Sequence, residues 1–188
     1  MLEQLKLKIQ QAEPAIDMPV KIVAIDGHGG AGKTVFAERL AQLLDAEVLH
    51  TDDFATWDNP LDWWDTMVDK VLDPLKAGAQ KLSYSRSSWY KNHQPASVVD
   101  QPVTPIMIIE GVSSSRKEFR PYLAYSIWIE TPKEICLKRG ISRDLADIDK
   151  SEKEIEQKWN EWHQYEEEYV KRDDPRGYAD IIVDGTRD

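Results

Sequence analysis

The stretch IVAIDGHGGAGKTVFAERL, residues 22–40, decides how this chain folds. It opens with a run of apolar residues, passes through a glycine-rich segment, and continues with apolar residues at helical spacing. The opening run predicts a buried β-strand, and the closing pattern predicts an α-helix. The segment between them, GHGGAGKT at residues 27–34, fits the pattern G-x-x-x-x-G-K-[ST] of a phosphate-binding loop. A strand, a phosphate loop and a helix are therefore expected in direct succession.

The residue types of this phosphate loop suit the phosphate groups of a nucleotide. Glycines allow backbone conformations and close approaches that a Cβ atom would block, so successive N–H groups can surround an anion. Lys33 would bring a positive charge to the β- and γ-phosphates, and the Thr34 hydroxyl would ligate a bridging Mg²⁺ ion. The plain alternative is a glycine turn that only joins a strand to a helix. The expected phosphate-binding residues are Gly27, His28, Gly29, Gly30, Ala31, Gly32, Lys33 and Thr34.

The composition limits the classes of protein and partner. The chain has 188 residues, 41% of them hydrophobic, which suits a single domain over residues 1–188. Its net charge of -10 argues against nucleic acid or an anionic membrane as a partner, because both attract basic surfaces. The lone cysteine, Cys136, excludes an internal disulfide and suits a reducing compartment, so we expect a cytoplasmic protein. Helical spacing of apolar residues predicts an amphipathic helix in an N-terminal extension, residues 1–18.

Short apolar runs alternate with helical patterns along the chain. The runs that predict buried strands are residues 20–25, 48–49, 106–109, 125–129 and 181–183. Such alternation predicts an α/β fold in three layers, with a central parallel sheet of about five strands and helices on both faces. Residues 78–105 are the least regular span, and long irregular spans are often functional.

Other residues mark where helices begin and end. Asn59 and Pro60 predict the start of a helix that Pro74 would end. The pattern of a Ser or Thr followed three residues later by Glu predicts a capping box at a helix start. Capping boxes are predicted for Thr131 with Glu134 and for Ser151 with Glu154.

Acidic residues follow two of the predicted strands. Asp52 and Asp53 come after the second strand, where a carboxylate could orient an acceptor hydroxyl and accept its proton. The alternative is that they are turn residues or a helix N-cap. Glu110 ends the apolar run IMIIE, and ligands of open α/β sheets bind at that edge. Glu110 is therefore a candidate for holding Mg²⁺ or its waters, and the alternative is a structural carboxylate that holds a loop.

The segments GHGGAGKT, TDDF, IIEG, RGISRD and YADIIVDG, taken together, resemble the uridine kinase-like family of P-loop kinases. That family also includes pantothenate kinases and phosphoribulokinases. The resemblance runs from about residue 20 to residue 185 and implies the P-loop NTPase fold with a small lid. It implies that Asp52 is the catalytic base, because Phe54 follows at the family's offset. It also implies that Arg139 and Arg143 are catalytic lid arginines, with the lid at residues 139–150.

The chain departs from this family at the acceptor side. Uridine-cytidine kinases usually carry Y-D-F-x-x-H-x-R in the acceptor-binding hairpin, whereas this chain has LSYSRSSWYKNHQ. Similar chemical types occur at different spacing, so residues 79–105 are the expected acceptor-binding insertion. The lid also lacks the R-G-R that usually follows its R-D. The candidate acceptor-binding residues are Asp52, Asp53, Phe54, Tyr84, Arg86 and His93.

These observations predict an ATP-dependent kinase that phosphorylates a hydroxyl of a small metabolite. A nucleoside, uridine or cytidine, is the leading acceptor, and ATP and Mg²⁺ are the implied cofactors. One alternative is a kinase for a vitamin, a sugar or a nucleoside monophosphate. The other is a nucleotide-binding switch that transfers nothing. The chain lacks the N-K-x-D motif by which a GTPase would read guanine.

Two features of the last predicted helix favour structural roles over functional ones. Trp159 and Trp162 have helical spacing, which favours packing between helices over stacking on a base. The acidic run at residues 166–168 is expected to be a solvated helix face.

Overall fold

A computed structural model of the protein describes residues 1–56, 58–87, 97–147 and 151–186. The strands are β1 (Lys21–Asp26), β2 (Glu47–His50), β3 (Lys81–Ser85), β4 (Val98–Pro102), β5 (Ile106–Glu110), β6 (Tyr125–Glu130) and β7 (Ile181–Asp184). The helices are α1 (Leu2–Gln11), α2 (Lys33–Leu44), α3 (Trp64–Met67), α4 (Asp73–Lys76), α5 (Lys133–Asp147), α6 (Glu152–Asp173) and α7 (Pro175–Tyr178). In these residues no helix is both long and apolar enough to cross a membrane.

The central sheet has five strands in the order β2-β5-β1-β6-β7, and every neighbouring pair is parallel. Strand β1 lies in the middle of the sheet, and both of its faces are covered. Ile22 and Ala24 pack into the core on one face, and Val23 and Ile25 pack into the core on the other. This alternation follows from the period of two along a strand. The predicted parallel sheet is therefore confirmed, strand by strand.

Helices cover both faces of the sheet. Helices α1 and α2 pack on one face, where Leu5, Ile9 and Leu40 are fully buried. The other face is covered by residues that include Met67 and Leu75, from the helical stretch that begins with α3 and ends with α4. The three-layer α/β architecture expected of a P-loop fold is thus confirmed, and so is the amphipathic N-terminal helix.

The irregular span contains a hairpin that the apolar pattern did not predict. Strands β3 and β4 pair antiparallel, with Lys81 opposite Pro102 and Tyr84 opposite Val99. The strands were missed because each is short and only alternate residues of β3 are buried. Residues 88–96 of the predicted insertion lie outside the described residues, as do residues 148–150 of the predicted lid.

The helix predicted between Asn59 and Pro74 has different bounds. Asn59 Oδ1 accepts a hydrogen bond from Asp62 N at 2.9 Å, but this closes a turn, and the helix begins at α3. The helix then passes through a π-helical turn at Val68–Leu72 and continues as α4. Pro74 lies at the start of α4, just after this change of register, where its missing N–H is tolerated.

The two predicted capping boxes have different outcomes. Ser151 Oγ accepts a hydrogen bond from Glu154 N, and the Glu154 carboxylate accepts one from Ser151 N, so that box is confirmed. At the start of α5 the Thr131 hydroxyl instead donates to the carbonyl of Ala31, at 3.0 Å. Its side chain therefore joins helix α5 to the phosphate loop.

Candidate active site

The phosphate loop joins β1 to α2 at the carboxyl edge of the sheet. Gly30 and Gly32 have φ values of +79° and +95°, a left-handed conformation that favours glycine. A Cβ atom on Gly30 would also collide with the backbone carbonyl of Cys136 in α5. Gly32 is the residue that precedes the first turn of α2, so the free N–H groups of that turn lie beside the loop. The glycines are thus required by the loop's own conformation.

The side chain of Lys33 folds back over this loop. Its Nζ atom donates to the backbone carbonyl of His28 at 2.8 Å, and only 7% of the residue is exposed. The ammonium group is therefore held at the wall of the cleft by the loop that it follows.

A cleft of about 660 Å³ opens beside the loop. It brings together charged side chains from four elements, which the sequence had separated by more than a hundred residues. The charged residues that line it are Lys33, Asp52, Glu110, Arg139, Arg143 and Asp144.

Glu110 lies next to Thr34 at the end of β5. The Thr34 hydroxyl donates to Glu110 Oε1 at 3.3 Å, and His50 Nδ1 lies 2.7 Å from the same oxygen. The hydrogen bond to Glu110 raises the pKa of His50. The second oxygen, Oε2, is buried and has no hydrogen-bond partner among the residues that the structure describes. Since a buried carboxylate oxygen without a partner is costly, Thr34 and Glu110 are suited to hold a cation or its waters.

Asp52 follows β2 and lines the cleft. The residue is exposed to solvent. Desolvation by the protein groups around its carboxylate, together with the charge of Glu110, raises the pKa of Asp52, and Lys33 and Arg143 oppose this shift. A carboxylate with a raised pKa is a better proton acceptor than an ordinary one.

Asp53 points into a different environment. It is 5% exposed, and its carboxylate accepts from Tyr84 Oη at 3.0 Å and from Arg86 Nε at 2.6 Å. Phe54 is also buried, and its ring stacks on Tyr84 with centroids 4.9 Å apart. These four predicted acceptor residues are therefore close together, with Asp53 held by the hairpin strand. Their acceptor-binding role stays a prediction, and His93 lies outside the described residues.

Both predicted lid arginines lie on α5 and line the cleft. Arg139 Nη1 donates to the carbonyl of Gly185 at 2.9 Å. Arg143 bonds Asp144 at 2.9 Å and lies 5.7 Å from the centre of the Trp159 ring. Both side chains are exposed, so their guanidinium groups face solvent at the edge of the cleft.

Comparisons with known proteins agree with the kinase-like arrangement of this cleft. No protein-family model matches the chain. The uridine kinase of Borrelia duttonii (strain Ly) is 25% identical over 142 residues, which cover 68% of this chain and 68% of that protein. The uridine kinase of Pectobacterium carotovorum subsp. carotovorum (strain PC1) is 23% identical over 185 residues, covering 86% of this chain and 85% of that protein.

Solved structures share the fold over almost the whole chain. A possible uridine kinase from Bacillus stearothermophilus has a TM-score of 0.67 at 20% identity and covers 97% of both chains. A candidate fructose transport system kinase from Silicibacter sp. TM1040 has a TM-score of 0.74 at 17% identity, covering 97% of this chain and 98% of its own. At these identities the structural likeness shows the fold. Sequence and fold together support the uridine kinase-like family of P-loop kinases.

The structure contains a buried acid that the sequence prediction assigned to the surface. Glu166 is 1% exposed, and its Oε1 accepts from Gly29 N at 2.6 Å and from Trp162 Nε1 at 2.7 Å. The expectation of a solvated face is therefore wrong for this residue. Helical spacing could have revealed it, because Trp159, Trp162, Glu166 and Tyr169 succeed one another at intervals of three, four and three residues.

Asp26 is a second buried acid that was not predicted. It is 1% exposed at the end of β1, directly before the phosphate loop. Its carboxylate accepts from Ser115 Oγ at 2.7 Å, from Tyr169 Oη at 2.6 Å and from Ser113 N at 3.1 Å. Asp26 thus joins the start of the phosphate loop to α6 and to the segment after β5. Nothing in the local pattern distinguished this acid from an ordinary strand end.

Proposed function

We propose that this kinase transfers the γ-phosphate of ATP to a hydroxyl of a small metabolite, with uridine or cytidine as the leading acceptor. The observation that carries the proposal is that Asp52 and Lys33 line the same cleft, where the positive charge of Lys33 acts on the Asp52 carboxylate. A phosphate-binding cation and a proton-accepting carboxylate in one cleft are the two groups that phosphoryl transfer to a hydroxyl requires. A nucleotide switch needs only the first of them.

The metal expected of such a kinase has fitting residues at the carboxyl edge of the sheet. The Thr34 hydroxyl and Oε2 of Glu110, which has no partner in the described part of the chain, are the groups that would hold a Mg²⁺ ion or its waters. Bound there, Mg²⁺ would neutralise phosphate charge. His50, bonded to Oε1 of Glu110, would keep that carboxylate in one orientation.

The remaining roles follow from position in the cleft. Asp52 accepts the proton of the acceptor hydroxyl while the hydroxyl oxygen attacks the γ-phosphoryl group and ADP leaves. The raised pKa of Asp52 suits that step. Lys33, Arg139 and Arg143 supply positive charge where negative charge develops on the transferred group. The two arginines are exposed at the cleft edge, which suits a part that closes over bound nucleotide.

A nucleoside is the leading acceptor because several curated relatives are uridine kinases. The likeness to the candidate fructose transport system kinase concerns the fold. Tyr84 and Arg86 both bond the Asp53 carboxylate. The acceptor is therefore assigned from the curated relatives and not from these contacts. Vitamins, sugars and nucleoside monophosphates therefore belong in the same test.

The test is a screen for acceptor-dependent ATP consumption, with product mass measured directly. The panel contains uridine, cytidine, pantothenate, fructose and nucleoside monophosphates, and each assay is repeated with Asp52→Asn. We expect uridine or cytidine to give a product about 80 mass units heavier than the nucleoside, the mass added by one phosphoryl group. The parent protein should form this product about 10²-fold or more faster than Asp52→Asn. A different acceptor would correct the substrate and keep the kinase. ATP binding without transfer to any of them would favour the switch.

A further inference from the structure

One peptide group of the phosphate loop is held at both ends. The peptide that joins His28 to Gly29 accepts a hydrogen bond at its carbonyl oxygen from Lys33 Nζ, at 2.8 Å. The N–H of the same peptide donates to Glu166 Oε1 at 2.6 Å. The first partner belongs to the loop's own helix, and the second comes from α6, more than 130 residues later in the chain.

The two hydrogen bonds are coupled by covalent geometry. A trans peptide is planar, and its N–H and carbonyl point in opposite directions. A partner that fixes the N–H direction of Gly29 therefore also fixes the direction of the His28 carbonyl. Since that carbonyl is the acceptor for Lys33 Nζ, its direction determines where the ammonium group rests before nucleotide binds.

The surroundings of Glu166 make it a rigid partner. Trp162 Nε1 donates to the same Oε1 atom at 2.7 Å, while His28 Nδ1 lies 3.4 Å from Oε2. Burial disfavours the charged carboxylate, but the hydrogen bonds from His28 and from Gly29 N–H outweigh it and lower the pKa of Glu166. The carboxylate is thus ionised, buried and multiply bonded. Burial lowers the pKa of His163, the other imidazole near Oε2 at 3.7 Å, so that ring is neutral there.

Close packing brings this carboxylate to the loop. A Cβ atom on Gly29 would lie 3.0 Å from Trp159 and from Trp162 and 3.1 Å from Glu166 itself, so α6 rests directly on the loop backbone. Trp159 also packs against Gly140 of α5, where a Cβ atom would collide with the indole ring. The loop, α5 and α6 therefore meet around one peptide.

We propose that Glu166 is a positioning residue of the phosphotransferase, which orients the His28–Gly29 peptide and through it the ammonium group of Lys33. The proposal rests on the proposed function, because it concerns the lysine that meets the phosphates. Glu166 touches neither substrate nor metal in this role. Its contribution is that Lys33 is in place before nucleotide arrives, which reduces the free energy spent on ordering the site.

The first test measures hydrogen exchange in the phosphate loop in the absence of nucleotide. Hydrogen exchange of the Gly29 amide is compared among the parent protein, Glu166→Ala, Glu166→Gln and the control Glu168→Gln, an exposed acid of the same helix. We expect exchange to become about tenfold faster or more in Glu166→Ala. Glu166→Gln should stay closer to the parent, because its amide oxygen can still accept from Gly29 and Trp162. Unchanged exchange in Glu166→Ala would overturn the proposal.

The second test is a double-mutant cycle on the affinity for Mg·ADP, measured by calorimetry, which needs no acceptor. We expect Glu166→Ala and Lys33→Ala each to weaken binding about tenfold, and the double variant to lose little more than either alone. Separate contributions would instead multiply to about a hundredfold loss, and that result would refute action through Lys33. If Glu166→Ala does not fold, the same cycle with Glu166→Leu decides, because leucine fills a similar volume but cannot accept a hydrogen bond from Gly29. A parent protein that binds neither ADP nor ATP overturns the proposed function and this inference with it.

Discussion

The two sides of the cleft are built in different ways. On the donor side, the glycines that need left-handed backbone and the lysine that folds back on His28 lie within residues 27–34. On the acceptor side, Asp53 is held by Tyr84 and Arg86, more than thirty positions away, in a hairpin whose tip lies outside the described residues. Phosphate has a constant shape and charge, so a short local motif can bind it. An acceptor varies, so the predicted acceptor site draws on groups from distant parts of the chain.

The largest expected effect is the loss of phosphoryl transfer when the donor side loses its lysine. Lys33→Ala removes the positive charge at the phosphates, so we expect phosphoryl transfer to fall by about 10³-fold or more. The fold should survive, because the ammonium group bonds a loop carbonyl and not the core. Transfer rate and melting temperature are measured together, with Arg39→Ala, an exposed cation of the same helix, as the control. Normal turnover by Lys33→Ala would remove residues 27–34 from the active site.

The next effect compares two neighbouring acids of the acceptor side. Asp52→Asn keeps the shape but loses the basic carboxylate, so transfer should fall by about 10²–10⁴-fold while ATP affinity persists. Asp53→Asn should instead lower the free energy of unfolding by about 1–3 kcal/mol, because Tyr84 or Arg86 loses a buried acceptor. Turnover per folded molecule should change far less for Asp53→Asn than for Asp52→Asn.

These two variants are measured with ATP calorimetry, acceptor transfer and urea unfolding. Transfer that is intact in Asp52→Asn and lost in Asp53→Asn would exchange the two roles. Loss of ATP binding in Asp52→Asn would move that residue to the metal site, beside Glu110.

Much of the donor side could be predicted because its information is local. The apolar run before Gly27 predicted β1, the run before Glu110 predicted β5, and the alternation of strands with helices predicted that the strands are parallel. Parallel strands bring their carboxyl ends to one edge, so the approach of Thr34 to Glu110 could be expected from the sequence.

The rest depended on long-range contacts that no local pattern records. Thr131 has the sequence of a capping residue, but its hydroxyl donates to a carbonyl of the phosphate loop, so tertiary structure overrode the local preference. Glu166 was assigned to solvent because it belongs to the acidic run at residues 166–168, although its helical spacing matched the buried tryptophans. The hairpin β3–β4 was missed because its strands are short and half exposed.

A double variant tests the cationic edge of the cleft, where α5 faces the phosphate loop. Arg139→Ala combined with Arg143→Ala should lower kcat by about tenfold or more, because these cations are proposed to meet charge that develops in the transition state. The KM for ATP should change less than kcat. Steady-state kinetics with Lys138→Ala, an exposed neighbour, as the control separates the two quantities. A normal kcat with only a raised KM would assign the arginines to ground-state nucleotide binding.

The smallest expected effect is a change in the free energy of unfolding on the acceptor side. There Tyr84 is proposed to hold Asp53 rather than to take part in the chemical step. Tyr84→Phe keeps the ring that stacks on Phe54 but removes the hydroxyl that donates to Asp53 at 3.0 Å. We expect the free energy of unfolding to fall by about 1 kcal/mol, because a buried carboxylate loses one donor and retains Arg86. The matched control is Tyr122→Phe, whose hydroxyl donates to Asp73 at an exposed site and should contribute about 0.5 kcal/mol or less. Urea unfolding gives both values. If Tyr84→Phe unfolds like the parent but loses acceptor affinity, the hydroxyl binds the acceptor, and the hairpin is part of the acceptor site itself.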